Sequence, residues 1–233
     1  MDQSHKAVRY FLDRAFRAAV MWVMNRITVG AREREPDLRG EDIKKILLVR
    51  SLFRMGDSIL ATPAISLLRQ NFSEATIDFV GPPIAKKLFQ NLPIDRFYAI
   101  SRNFPNACWC YVALLQRLRR ANYDLALDVS GSSAALGSFI VGFSGARLRG
   151  GLRGKWDRWF NIRVPRPSTL NKYTNLPELI GSMGFESHLT FPRLVLSREE
   201  IAEGEKRLRS LVRGAEFPLV GVFVGGRKSR SKR

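Results

Sequence analysis

The stretch that decides the fold is KKILLVRSLFRMGDSILATPAISLLRQNF, Lys44 to Phe72. It opens with a continuous apolar run, ILLV, of the kind buried on both faces of a parallel sheet. A short basic loop follows, then Gly56 and Asp57, then an apolar pattern at helical spacing with Pro63 in its first turns. The reading is strand, loop, helix. The loop covers Ser51 to Met55 and brings the chain over the carboxyl edge of the sheet. Gly56 is expected to permit a tight turn that aims Asp57 into the crevice at a helix start. A carboxylate there has two explanations. It caps the helix, since Asp is a favoured N-cap residue and its charge suits the positive end of the dipole. Alternatively it accepts a proton from a hydroxyl, with Arg50 or Arg54 keeping it ionised. Pro63 implies either a kink or a helix that starts with Thr62 as cap and Pro63 as its first residue.

Working outward, strands and helices keep alternating. ATIDFVG reads as a strand, PIAKKLFQNL as a helix, RFYAI as a short strand and NACWCYVALLQRLRRANY as a long helix. DLALDVSG is a fourth strand, SAALGSFIVGFSG a small-residue helix and ARLRGGL a short basic strand. This alternation predicts an α/β, doubly wound, Rossmann-like domain with its site at the carboxyl ends of the strands. Asp128 and Gly131 end the fourth strand, where Asp128 either orients a hydroxyl or caps a turn. The stretch from Arg147 to Arg166 then turns irregular, with seven basic residues against one acid and Trp156, Trp159 and Phe160 among them. It reads either as a solvated loop over core aromatics or as a surface for an anionic, membrane-embedded ligand. Helices return in KYTNLPELIGSMGF and after Ser197, which has capping-box spacing to Glu200.

Composition narrows the partners. The 233 residues carry 39 Lys and Arg against 21 Asp and Glu, a formal charge of +18. Such a balance implies anionic partners: nucleic acid, an anionic membrane face or a phosphorylated substrate. No helix-turn-helix, zinc-finger spacing or RNP-like aromatic motif accompanies the charge, so nucleic acid is not the expected partner. Cys108 and Cys110 lack a redox or zinc spacing and read as core thiols in a reducing cytoplasm. Near the start, Val8, Leu12, Ala15, Phe16, Ala19, Val20, Val23 and Ile27 recur at helical spacing. Lys6, Arg9, Arg14, Arg17 and Arg26 set five positive charges there against Asp13 alone. The uninterrupted apolar core, Ala18 to Met24, is seven residues long, far short of the roughly 20 that span a bilayer. The segment 5–27 is thus either an interfacial membrane helix or a helix packed on its own domain.

Taken together, ILLVRSLFRMGDSILATPAISLLRQNF, ATIDFVG, DRFYAI and YDLALDVSGSSAALGSFIVGFSGARLRGGLR resemble the amino-terminal domain of glycosyltransferase family 9, the bacterial lipopolysaccharide heptosyltransferases. PLVGVFVGGRKSRSKR resembles the opening of that family's carboxyl-terminal domain. The Gly-Asp segment with its trailing Thr-Pro is the most specific part. The resemblance implies a GT-B fold with only the first strand of a second Rossmann-like domain. It divides the chain into a basic helix and linker (1–42), an acceptor-side domain (43–197), a linking helix (198–216) and the start of a nucleotide-sugar-binding domain (217–233).

The resemblance also implies chemistry. Asp57 would be the general base that deprotonates the acceptor hydroxyl, with Arg54, Gly56 and Asp128 on the acceptor side. Gly225, Gly226 and Lys232 would approach the donor diphosphate, as a glycine loop and an ammonium suit a phosphate. No metal or cofactor is implied. The implied partners are a nucleotide sugar, ADP-heptose, and an anionic lipopolysaccharide core acceptor, met at the cytoplasmic face of the inner membrane by a peripheral enzyme. Two departures stand out. A histidine expected before the LLxxLG-type helix is replaced by Asn171, and the Asp128 to Gly131 spacing is three where the family often has two. The strand read in FPLVGVFVGG is followed by seven residues, so the chain is expected to be truncated and not to turn over alone. The alternative is a non-catalytic basic protein that binds a membrane surface or nucleic acid.

Overall fold

The computed structural model describes residues 30–100, 106–130, 135–167, 174–212 and 220–222, with side chains of 106–109 not described. The expected amphipathic helix at 5–27, Gly131, Asn171 and the glycine-lysine tail lie outside these residues. The chain divides into two compact units, Met1–Val195 and Leu196–Arg233.

The first unit is built on six parallel strands in the order β3-β2-β1-β4-β5-β6. These are β1 (Lys45–Val49), β2 (Thr76–Gly81), β3 (Arg96–Ala99), β4 (Leu125–Asp128), β5 (Leu148–Leu152) and β6 (Ile162–Val164). Between them run α1 (Met55–Ile59), α2 (Thr62–Asn71), α3 (Pro83–Leu88), α4 (Asn106–Ala121) and α5 (Ala135–Phe143), with α6 (Asn175–Gly181) after β6. β1 is central, with Leu48 opposite Phe79 of β2 on one side and Leu127 of β4 on the other.

Alternation along the strands makes the core two-sided. Ile46, Leu48, Ile77, Phe79, Leu125 and Leu127 face one layer, which contains Ile65, Leu67 and Leu68 of α2 and Leu179 and Ile180 of α6. Leu47, Val49, Val80 and Ala126 face the other, with Leu114 and Leu118 of α4 and Ile140 and Val141 of α5. Each face is covered by helices, which is why the strands read as unbroken apolar runs. Close approach explains two glycines: a Cβ at Gly142 would lie 2.5 Å from Trp159 Cβ, and one at Gly151 2.6 Å from Phe160 Cε2.

Several elements differ from the sequence expectation. β6 lies inside the stretch expected to be irregular. It is only three residues long, and the 3-10 turn Asp157–Trp159 interrupts any period before it. Trp159 and Phe160 are buried; Trp159 packs edge-on to Phe143 at 5.7 Å. The basic residues nearby are not all solvated: Arg147 pairs with Glu41, and Arg153 and Arg163 pair with Glu33. These pairs hold residues 31–42 along the sheet edge, where Arg34 bridges in parallel to Ile162 and Leu38 is buried. Cys110 is an exposed free thiol, not a core one, because burial on α4 is first seen at Leu114.

α2 starts one residue earlier than read: Ala61 is the N-cap and Pro63 lies within the first two positions, so no kink is required. Thr62 Oγ1 instead donates to Ile59 O at 2.9 Å. In the second unit, α7 (Arg198–Leu211) carries the expected capping box, with Ser197 and Glu200 bonded both ways, and buries none of its residues. Val220 to Val222 belong to no strand, and Val220 and Val222 are exposed. Among the described residues no neighbouring strand supplies them with ladder bonds, and the rest of that expected strand lies outside the described residues.

Candidate active site at the strand-order switch

In the order β3-β2-β1-β4-β5-β6 the chain leaves β1 toward β2 and leaves β4 toward β5. The two exits diverge, so a crevice opens above the carboxyl ends of β1 and β4. Backbone bonds fix its floor: Arg50 N donates to Val80 O at 2.8 Å and Val129 N to Val49 O at 3.0 Å.

Small polar groups tie the two exit loops together. Ser51 N donates to Ser130 Oγ at 3.0 Å, and the two hydroxyls lie 3.4 Å apart. Asp128 is buried beneath them. Its Oδ1 accepts from Ser130 N at 2.8 Å and its Oδ2 from Ser138 Oγ of α5 at 3.0 Å. Burial pushes the Asp128 carboxyl above the usual carboxylate range, opposed by the Ser130 and Ser138 bonds and by the Arg50 charge. Asp128 therefore performs the turn-capping role and holds the crevice wall. Its carboxylate is fully buried with both oxygens bonded. A Cβ at Gly137 would lie 2.7 Å from Asp128 Oδ1, so α5 presses its backbone onto this carboxylate.

Arg50 is 5% exposed and donates through Nη1 to Val129 O, across the fork between the two loops. Its Nε has no partner among the described residues. Burial lowers its pKa to about 10, with the Asp57 and Asp128 charges opposing the drop. The guanidinium thus stays protonated at neutral pH.

Asp57 lies in the first turn of α1, half-buried, three positions after the N-cap Arg54. It is not itself the N-cap, and no described residue hydrogen-bonds or ion-pairs with its carboxylate. The dipole still favours a negative charge there. Arg54 is exposed, and its carbonyl accepts from Ser58 N at 3.1 Å and Ser58 Oγ at 3.3 Å. Gly56 differs from its expected role. Left-handed φ occurs among the described residues at Gly40, Gly145 and Gly184, not at Gly56, which is helical and would find no described atom within 4 Å of an added Cβ.

Three solved structures share this architecture. A glycosyl transferase family 9 protein of Veillonella parvula aligns with TM-score 0.63 at 14% identity, covering 75% of this chain and 51% of that one. E. coli ADP-heptose lipopolysaccharide heptosyltransferase II aligns with TM-score 0.53 at 19% identity, covering 70% and 50%. E. coli heptosyltransferase WaaC, solved with ADP-2-deoxy-2-fluoro heptose, gives 0.53 at 15%, covering 64% and 51%. The chain has the fold of one half of a GT-B glycosyltransferase. It spans about half the length of the structures it matches. No family sequence model matches the chain, and no curated protein matches it in sequence.

Within this fold Arg54, Gly56 and Asp57 follow β1 and Asp128 ends β4, the two adjacent strands at the order switch, while Gly225, Gly226 and Lys232 lie outside the described residues. Among the described residues no cluster of His, Cys, Asp or Glu has the form of a metal site, and no helix is long and apolar enough to cross a membrane. Sequence reading missed Ser51, Ser130 and Ser138. Their signal was faint: a serine directly after Arg50 and another two residues after Asp128, at the ends of the two strands that flank the switch.

Proposed function

We propose that the chain is the acceptor-side part of a heptosyltransferase-type sugar transferase of glycosyltransferase family 9. One observation carries the reading: a half-buried carboxylate without a partner among the described residues, Asp57, lies on the first turn of the helix that follows β1, the strand at the order switch. A carboxylate spent on a cap or an ion pair would be a poor base. One left open toward a crevice can take a proton.

In the proposed reaction the acceptor hydroxyl gives its proton to Asp57 as its oxygen bonds to the anomeric carbon. The bond from that carbon to the donor diphosphate breaks, and the electron pair leaves with the nucleotide. Attack opposite the leaving group inverts the anomeric centre, without a metal. Gly225, Gly226 and Lys232 are proposed to face the diphosphate. The donor is ADP-heptose, a nucleotide sugar, and the acceptor an anionic lipopolysaccharide core at the cytoplasmic face of the inner membrane. The charge of +18 suits both the acceptor and an anionic leaflet, and residues 5–27 are the proposed membrane contact.

The test is transfer from ADP-heptose to a deacylated core acceptor, by the chain alone and joined to a nucleotide-sugar-binding half. Asp57→Asn should lower the rate by about 10²–10⁴, the usual contribution of a general base. Equal transfer by wild type and variant would remove Asp57 from the mechanism.

A further inference from the structure

The turn after β5 is basic and aromatic, and the proposed transfer chemistry makes no use of it. From Arg153 to Arg166 the chain carries Arg153, Lys155, Arg158, Arg163 and Arg166 against the single acid Asp157. That acid is spent on the turn itself, where its Oδ2 accepts from Gly154 N at 3.0 Å. Glu33 pairs with Arg153 and Arg163, which still leaves three positive charges in excess. Lys155 is exposed and has no ion pair among the described residues. Its Nζ stands 5.2 Å from the centre of the Trp156 ring. Trp156 is half-buried, whereas Trp159 is buried.

Topology fixes where these residues lie. The six strands are all parallel, so their carboxyl ends share one edge of the sheet. Arg153 directly follows β5 and Arg166 comes two residues after β6. Arg166 Nε donates to Arg153 O at 3.0 Å and joins the two exits. The chain leaves β1 toward Asp57, and β4 at Asp128, from that same edge. A second segment reaches the turn as well: Ala31 N donates to Arg158 O at 2.8 Å, and Arg163 Nη2 donates to both Ala31 O and Arg158 O. The basic stretch 5–27 therefore joins the described chain, at Gly30, beside this turn.

A small soluble anion is recognised by donors converging in a concave site. Here the charges are instead spread over two strand exits around an indole, and Trp rings favour the headgroup level of a bilayer. A lysine stem can lie along such a ring while its ammonium reaches lipid phosphates. We propose that the Arg153–Arg166 patch, with Trp156 as its aromatic anchor, docks on the headgroups of an anionic lipid leaflet and turns the carboxyl edge of the sheet toward the membrane. This rests on the membrane side of the proposed function and not on Asp57 being the base. A lipid-linked acceptor then meets the strand-end loops without the chain leaving the surface.

The experiment sediments the full chain with phosphatidylcholine vesicles, with and without phosphatidylglycerol, at about 0.1 M salt. Binding should require the anionic lipid. Lys155→Gln should weaken partitioning about five-fold, the effect of one basic residue near an anionic surface. The chain has four tryptophans; Trp22→Phe with Trp109→Phe leaves Trp156 and the buried Trp159. Brominated phosphatidylglycerol should then quench an emission that Trp156→Phe removes. Vesicle-bound chain with unquenched Trp156 overturns the proposal, because binding then runs through other residues. Failure to sediment with anionic vesicles overturns it too. If the tryptophan variants do not fold, Lys155→Gln in the wild-type chain decides, since the side chain is exposed, and partitioning equal to wild type overturns the contact. The vesicle assay contains no sugar donor. Equal transfer by Asp57→Asn thus retires the base and leaves this contact standing, and failed docking leaves the base standing.

Discussion

Tyr123→Phe tests how the sheet tolerates a buried acid away from the crevice. Asp78 sits on β2 between Leu47 and Arg96 in the ladder and is 1% exposed. Its Oδ2 accepts from Tyr123 Oη at 2.5 Å, and its Oδ1 has no partner among the described residues. Removing the hydroxyl takes away the bond that Tyr123 gives this buried carboxyl group. Hydrogen bonds to charged groups contribute about 1.5–3 kcal/mol. With a urea slope of roughly 2 kcal/mol per molar, the unfolding midpoint should fall by about 1 M.

The pH dependence has a definite sign. Burial pushes the Asp78 carboxyl up, opposed by the Tyr123 bond and the Arg96 charge. The folded chain therefore binds this proton more tightly than the unfolded chain, in which Asp titrates near 4. The contribution of Asp78 is fully favourable below that pH, is lost as pH rises through the raised folded value, and is level above it. Tyr123→Phe removes a bond that opposes the rise, so the loss should extend to higher pH and deepen. Urea midpoints at a series of pH values, with Asp78→Asn as the variant that cannot titrate, measure both effects. The reasoning fails if Tyr123→Phe unfolds at the wild-type midpoint with the wild-type pH profile.

Gly56→Ala should raise stability by about 0.5–1 kcal/mol, the helix preference for Ala over Gly, because no atom of the described residues lies within 4 Å of the added Cβ. If acceptor approaches that open face, transfer should drop although the melting temperature rises. Glu41→Gln breaks the pairs with Arg147 and Arg34 and should speed hydrogen exchange at the Arg34 amide, bonded to Asn161 O at 2.7 Å. Those bonds, Arg147 first, hold the Glu41 carboxyl below its ordinary value. The same loosening should therefore come in wild type as pH falls from above the ordinary Glu range through the lowered value. Ser197→Ala removes one half of the capping box and should cost α7 about 1 kcal/mol of helix stability, read from its Cα chemical shifts, since no buried residue compensates.

The two-sided core was legible because burial on both faces leaves continuous apolar runs, and KILLV and DLALD announced β1 and β4 directly. β6 was not legible, since three residues carry too little period. The edge segment at 31–42 was hidden for a different reason. It is held by backbone bonds and ion pairs to residues more than a hundred positions away, such as Arg34 N to Asn161 O and Glu41 with Arg147, and pairing at that separation leaves no local pattern. Gly56 was misread because glycine before a helix is usually explained by left-handed φ, whereas here the residue is helical and faces open space. Asp57 was placed correctly at the helix start, but only the absence of bonds to it among the described residues separates an available carboxylate from a cap.

That separation follows from how the two switch-point acids are distributed. Asp128 ends β4 and Asp57 follows β1, two strands adjacent in the sheet. Asp128 ends its strand inside the sheet and is followed by Ser130, so its oxygens turn back onto the chain and become structure. Asp57 comes after a five-residue loop and on the first turn of a five-residue helix, and its carboxylate is bonded to no backbone donor among the described residues. The loop length thus sorts two chemically identical side chains into a buried brace and a half-buried carboxylate with no bonded partner among the described residues. Shortening the loop would be expected to draw Asp57 back toward the strand-end amides and convert it into a second brace.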